Sequence, residues 1–157
     1  MGAGRSRLYG NTKGAAGKIS NAALKHANVG TFIRTPEGLR IKSGGHGQDN
    51  IEKLKKLGIE YNIVKTFPNG VRLGNIPTHR IRFKQKGTGQ AWFPKEWTEN
   101  DIRRAGEHVA SLKGNQISKD GEEISGFWKG VRVGVIRRNG RIQTVYPCYD
   151  QSKKGER

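Results

Sequence analysis

Cysteine is nearly missing from this sequence: Cys148 stands alone among 157 residues, which excludes an internal disulfide framework and any zinc site built on thiolates. A cytosolic site of action fits that usage. Acidic residues are also scarce, with 13 Asp and Glu against 30 Lys and Arg. Hydrophobic residues amount to only 32%, and no apolar run approaches the roughly 20 residues of a membrane span. The opening MGAGRSRLYGNTKGAAGK has no apolar centre of the secretory kind and no convincing acylation signal. Residues 1–17 therefore read as a flexible basic leader, and action in another cell would require delivery by something else.

What is abundant is positive charge and glycine. The formal charge of +17 attracts polyanions through counterion release and long-range steering. Nucleic acid is the expected partner. A membrane surface is a weaker one, because no long basic amphipathic helix is visible. With 23 glycines and a modest apolar fraction, the chain is expected to form one small α+β domain over residues 18–148, with helices of the N-terminal half packed on antiparallel sheet. Residues 149–157 are expected to be a solvated tail.

Along the chain, KISNAALKHAN has apolar residues near helical spacing and Gly30 beyond its end, placing His26 in the last turn. TFIRTPEGLRI reads as two extended segments around a turn. Asp49 is positioned to cap a short helix closed by Gly58. The PNG at 68–70 joins a hairpin, and HRIRFK at 79–84 alternates with period two like a further strand. Thr98 and Asp101 form a capping box ahead of a helix with Ile102, Ala105, Val109 and Leu112 on one stripe. GVRVGVIRR and RIQTVYP are joined by Asn139-Gly140, a two-residue hairpin. That tip sets Val135 opposite Thr144 and Val133 opposite Tyr146, with Thr144 and Tyr146 on one face.

Four histidines carry the possible chemistry. His108 lies on the polar face of the capped helix and reads as solvated. His46 stands among Gly44, Gly45 and Gly47, which remove side-chain cover and let a backbone or a phosphate come close. His26 is favoured at a helix C-terminus by the dipole, and His79 begins the expected strand as either a surface or a site residue. Two imidazoles and a lysine suffice to cleave RNA, whose own 2′-hydroxyl is the nucleophile: one group accepts its proton, one protonates the leaving oxygen, and a cation serves the crowded phosphate. DNA lacks that hydroxyl. A metal-dependent nuclease would need clustered carboxylates, and near the histidines only Asp49 stands in sequence.

SGGHG, GTGQAWFPKEWTENDI and GVRVGVIRRNGRIQTVYP, in that order, resemble the bacterial EndoU endoribonucleases, the C-terminal toxin domains of contact-dependent inhibition and other polymorphic toxin systems. The likeness spans residues 20 to 148. It implies a nuclease fold of the type shared by barnase, EndoU, colicin and RelE nucleases, and cleavage to a 2′,3′-cyclic phosphate with no metal and no other cofactor. Carried across, His46 is the general base and His26 the general acid, with His79 as a substitute. Thr144 and Tyr146 match the T-x-Y pair that holds and stacks the nucleotide. Lys86 is favoured over Lys84 as the site lysine.

Gly45 and Gln90 are expected beside the substrate, Gln90 at a place where the family often carries a small hydroxyl residue. Trp92 is offered for stacking on bases, although Trp92, Phe93 and Trp97 also read as anchors for the following helix. Arg132, Arg137, Arg138 and Arg141 read either as phosphate contacts or as a solvated sheet edge. The resemblance further implies structured RNA such as tRNA as substrate, an acidic immunity protein as partner, and action in the cytoplasm of a target cell after delivery within a larger secreted or surface effector. Two other classes remain open on the residues: a non-catalytic basic RNA-binding module and a metal-dependent DNase.

Overall fold

The computed structural model describes residues 17–151; nearly all of the basic leader and the segment 152–157 lie outside them. Among the described residues the fold is α+β, with three α-helices and three small antiparallel sheets. Helix α1 (Asn21–Asn28) starts at Ser20, whose hydroxyl accepts the Ala23 amide, and buries Leu24, Ala27 and Asn28. Strands β1 (Thr31–Thr35) and β2 (Gly38–Ser43) form the expected hairpin. Helix α2 (Gln48–Leu57) ends at Gly58, in the left-handed region as its role requires. It starts at Gly47 with no side-chain cap, so Asp49 is not the cap; it lies in the first turn, where a carboxylate suits the dipole.

Strands β3 (Asn62–Thr66), β4 (Arg72–Asn75) and β5 (Gln90–Trp92) make the second sheet in that spatial order. Helix α3 (Glu99–Ser111) carries the Thr98–Asp101 capping box. Strands β6 (Glu123–Trp128), β7 (Val131–Arg138) and β8 (Arg141–Pro147) make the third sheet. The main core lies between α1, α3 and this sheet, joining Ile102, Ala105 and Val109 to Val133, Val135 and Val145. Gly106 lets the helix come in close, since a Cβ there would fall 2.5 Å from a Val145 methyl. A second, smaller cluster under α2 holds Ile41, Ile51, Leu54, Ile76 and Trp92. Strand β5 separates the two by its period-two alternation, turning Ala91 and the following Phe93 to one and Trp92 to the other.

Three further expectations change. Residues 79–84 are not a strand: His79 is wholly buried, and Arg82–Lys84 is a single 3₁₀ turn. Residues 80–83 are all exposed, so the period-two pattern there corresponds to no buried face and no ladder. The last hairpin has its Asn139-Gly140 tip, both with positive φ, yet its register slips by one through a bulge opposite Ile136 and Arg137, so Thr144 faces Ile136 and Tyr146 faces Gly134. Finally, the chain is still bonded at 149–151: the Tyr149 hydroxyl donates to Gly89 O at 2.5 Å, and the buried Gln151 amide donates to Arg132 O and Cys148 O.

Candidate active site

The site begins with the end of α1. A helix leaves its last carbonyls without intrahelical donors, and here the glycine loop supplies them in order. The amides of Gly45, His46 and Gly47 donate to the carbonyls of His26, Ala27 and Asn28 at 2.9, 2.6 and 3.0 Å. Backbone bonds thereby bring two histidines twenty positions apart in sequence to adjoining segments. Glycine is required for the approach: a Cβ at Gly44, whose φ is +72°, would lie 2.2 Å from His26 O, and one at Gly47 would lie 1.8 Å from the Asn28 amide oxygen. The His46 carbonyl accepts the Phe93 amide at 2.7 Å, so β5 braces the loop from the other side.

His26, Gly44, His46, Lys84, Thr144 and Tyr146 line one cleft of about 380 Å³, together with Ser43, Gln143 and Tyr149. Gln143 and Thr144 are sequence neighbours, which a regular strand would send to opposite faces. The bulge in β8 allows both to reach the same cleft. Tyr146 leans across Gly134, where a Cβ would come within 2.6 Å of the phenol ring. Its hydroxyl donates to Glu123 at 2.5 Å, and its ring lies 6.0 Å from that of His46, tilted by 49°.

Hydrogen bonding fixes the state of His46. Its Nδ1 lies 2.8 Å from Ala91 O, a carbonyl that only accepts, so Nδ1 carries the proton and the cleft-facing imidazole keeps a bare Nε2. Burial, then the charge of Lys84, lowers its pKa from 6.5 to about 3, and it is neutral at neutral pH. His26, half-buried with Nδ1 2.8 Å from the Thr31 hydroxyl, is also pushed down by burial and by Lys84. Burial holds the Lys84 ammonium down to about 8. Burial and the carboxylate of Glu123 push the Tyr146 phenol up, so it stays a donor. The cleft is therefore a cationic pocket short of an anion, and an arriving phosphate would raise both imidazole pKa values. Among the described residues no carboxylate lines it, and no group of three or more His, Cys, Asp or Glu side chains gathers to hold a metal ion.

The family model of the bacterial EndoU nuclease matches residues 20–149. The chain belongs to the bacterial EndoU nuclease family. No curated protein and no solved structure matches it.

Within this EndoU domain the sequence-derived candidates separate by position. His46, His26, Thr144 and Tyr146 converge on the cleft. His79 does not line it: its Nδ1 accepts the Ile81 amide at 2.8 Å inside the fold. Lys84 lines the cleft, whereas Lys86 is exposed outside it, because the 3₁₀ turn breaks the period that would have pointed them the same way. Gln90 is wholly buried and donates to Gly45 O at 2.8 Å, supporting the loop from below and reaching no base. Gly45 is buried too, close against Asn50. Trp92 is fully buried with its indole N–H on Asn50 at 2.9 Å, so no face is open for stacking.

Arg132 is half-buried and off the cleft. Arg137, expected at the surface, is 1% exposed and donates to Asn115 O, Ser118 Oγ and Ala110 O. The sequence reading missed Ser43, Gln143 and Tyr149. Ser43 immediately precedes the glycine loop and was detectable by adjacency; Gln143 depends on the bulge, and Tyr149 had been assigned to the tail.

Proposed function

We propose that this EndoU nuclease is an endoribonuclease that cuts RNA by attack of the 2′-hydroxyl on the adjacent phosphodiester. What supports this most is the convergence of His26, His46 and Lys84 on one cleft lined, among the described residues, by no carboxylate. His46 Nε2 accepts the 2′-hydroxyl proton; the 2′-oxygen bonds to phosphorus as the bond to the 5′-oxygen breaks. His26 protonates that leaving oxygen, and the products are a 2′,3′-cyclic phosphate and a free 5′-hydroxyl. The Lys84 ammonium offsets the charge that grows on the non-bridging oxygens. Thr144 hydrogen-bonds the nucleotide and Tyr146 orients it, its hydroxyl held by Glu123.

The wider reading is a toxin domain: tRNA or another structured RNA as substrate, the cytoplasm of a target cell as its place of action after delivery within a larger effector, and an acidic immunity protein over the cleft. The formal charge of +17 supports both an RNA substrate and an acidic partner. The test incubates purified protein with total tRNA and with plasmid DNA, with and without EDTA. Cleavage of tRNA alone, insensitive to chelator and ending in a cyclic phosphate, is expected. His46→Ala should lower the rate by about 10²- to 10⁴-fold. Cutting of 2′-deoxy substrates, loss of activity in EDTA, or an unaltered His46→Ala rate would each overturn the reading.

A further inference from the structure

Beside Lys84 the chain exposes a ring that the cleavage reaction does not need. Phe83 is 66% exposed, next to Tyr149 at 41%. Its position is nevertheless fixed. The Lys84 amide donates to Ile81 O at 2.9 Å, the Gln85 amide to Arg82 O at 3.1 Å, and Lys84 O accepts the Ile76 amide at 3.0 Å. Successive side chains of a 3₁₀ turn diverge by about 120°, so a turn that sends Lys84 into the cleft sends Phe83 out alongside it. Gly89 fits beneath, where a Cβ would lie 2.1 Å from Phe83 O.

Tyr149 makes this ring continuous with the site. It lines the cleft, its ring centre is 6.4 Å from that of Phe83 at an interplanar angle of 33°, and its hydroxyl is anchored on Gly89 O. The neighbouring Arg80, Arg82 and Lys86 are all exposed. An aromatic face open to solvent on a hydrogen-bonded turn, with exposed cations next to it in sequence, suits one occupant: an unpaired base whose own phosphates reach those charges.

We propose that Phe83, backed by Tyr149, is a stacking platform for the base of a nucleotide flanking the scissile phosphate. The proposal rests on the reading of the cleft as an RNA site and extends it from the reacting phosphate to the next base along the strand. Because base stacking needs only a π-face, the platform contributes affinity with little base preference. It favours substrates that are single-stranded at the cut, since a paired base cannot leave its stack cheaply.

Binding, not cleavage, tests it. A fluorescent 2′-O-methyl single-stranded RNA has no nucleophile and stays intact, so its Kd for the full chain reads the platform directly. Phe83→Ala should weaken Kd on the order of tenfold; Phe83→Trp should restore it and Phe83→Leu should not. An abasic site at one position of the strand should cost the wild type a similar factor and Phe83→Ala nothing further. Melting curves confirm that the variants remain folded. Unchanged Kd in Phe83→Ala, or full restoration by Phe83→Leu, overturns the platform; the first result, with tRNA still cut, leaves the catalytic reading standing and points to a protein partner for this ring. Binding that depends on Phe83 in a protein that leaves tRNA uncut sustains the platform and overturns the catalytic reading.

Discussion

The two sides of the cleft are built by different means. On one, His26 and His46 are set by main-chain hydrogen bonds between a helix end and a glycine loop. On the other, Lys84, Gln143 and Thr144 are set by irregularities, a single 3₁₀ turn and a strand bulge. The first arrangement is local in its logic, since a helix C-terminus needs donors and a loop without Cβ atoms can bring them. The second depends on how distant segments meet. Substitutions that act on backbone approach should thus disable the histidine side, and those that remove charge should disable the lysine side.

After the loss expected for His46→Ala, the largest effect tests the lysine side. Lys84→Ala should lower kcat for RNA cleavage by about 10²- to 10³-fold, as for loss of one transition-state charge partner, while Lys86→Ala, outside the cleft, keeps a kcat close to wild type even where its KM rises. Equal losses from the two substitutions would erase the distinction between a cleft-lining and an outlying lysine. The pH profile sharpens it: with its pKa held to about 8, Lys84 loses its charge above that pH, so a descending limb should begin there and disappear in Lys84→Arg, measured as kcat/KM from pH 6 to 10.

On the histidine side, Gly44→Ala removes none of the cleft's side chains yet introduces a Cβ 2.2 Å from His26 O at a positive φ. Left-handed strain alone costs about 1 to 3 kcal/mol, and the clash separates the loop from α1. Activity should fall by about 10²-fold, in keeping with a misplacement near 1 Å, with a lower urea midpoint. Gly58→Ala, at the nearly identical φ of +71° but with nothing within 4 Å of the added Cβ, should keep its activity; matching activity losses in the two would show that strain, and not contact with His26, is what matters.

A separate effect is on stability against pH, and the two sides answer in separate windows. Burial lowers His46 to about 3 and His79 to about 4 from 6.5. A group whose folded pKa is depressed binds fewer protons folded than unfolded, so stability it contributes is complete above 6.5 and is lost as pH falls toward 3 to 4. The loss by pH 5 should be roughly 2 kcal/mol per buried imidazole, read as a fall in urea midpoint between pH 7 and 5. His79→Gln should flatten the slope, leaving the share that His46 and the half-buried His26 carry. Lys84 follows the same sign in a higher window, between about 8 and 10.5, and contributes nothing to the change below pH 8.

Most of the helices and hairpins were legible from local chemistry: the Thr98–Asp101 box, Gly58, Asn139-Gly140 and the stripe of α3 each follow from rules acting within a few residues. Of the site, His46 was marked by its glycines, and Thr144 and Tyr146 by the T-x-Y resemblance, although the hairpin register expected for them slips by one. Illegible were features decided by contacts across the chain. HRIRFK satisfies a strand pattern, but a strand exists only where a neighbour pairs with it, and none pairs here. Gln90, Trp92 and Arg137 carry polar or aromatic groups suited to RNA, yet each is buried and bonded to Gly45, Asn50 or Ala110.

The sequence alone determined the chemistry available to this nuclease: a polycationic surface, two imidazoles with glycine beside one of them, a T-x-Y strand, and too few cysteines for a thiolate site. Those follow from residue types and short spacings. Tertiary structure decided which groups share the cleft. Lys84 rather than Lys86, His26 rather than His79, and Gln143 beside Thr144 were selected by a turn, a set of carbonyls at a helix end and a bulge, because direction in space depends on backbone hydrogen bonds formed between segments far apart in the chain.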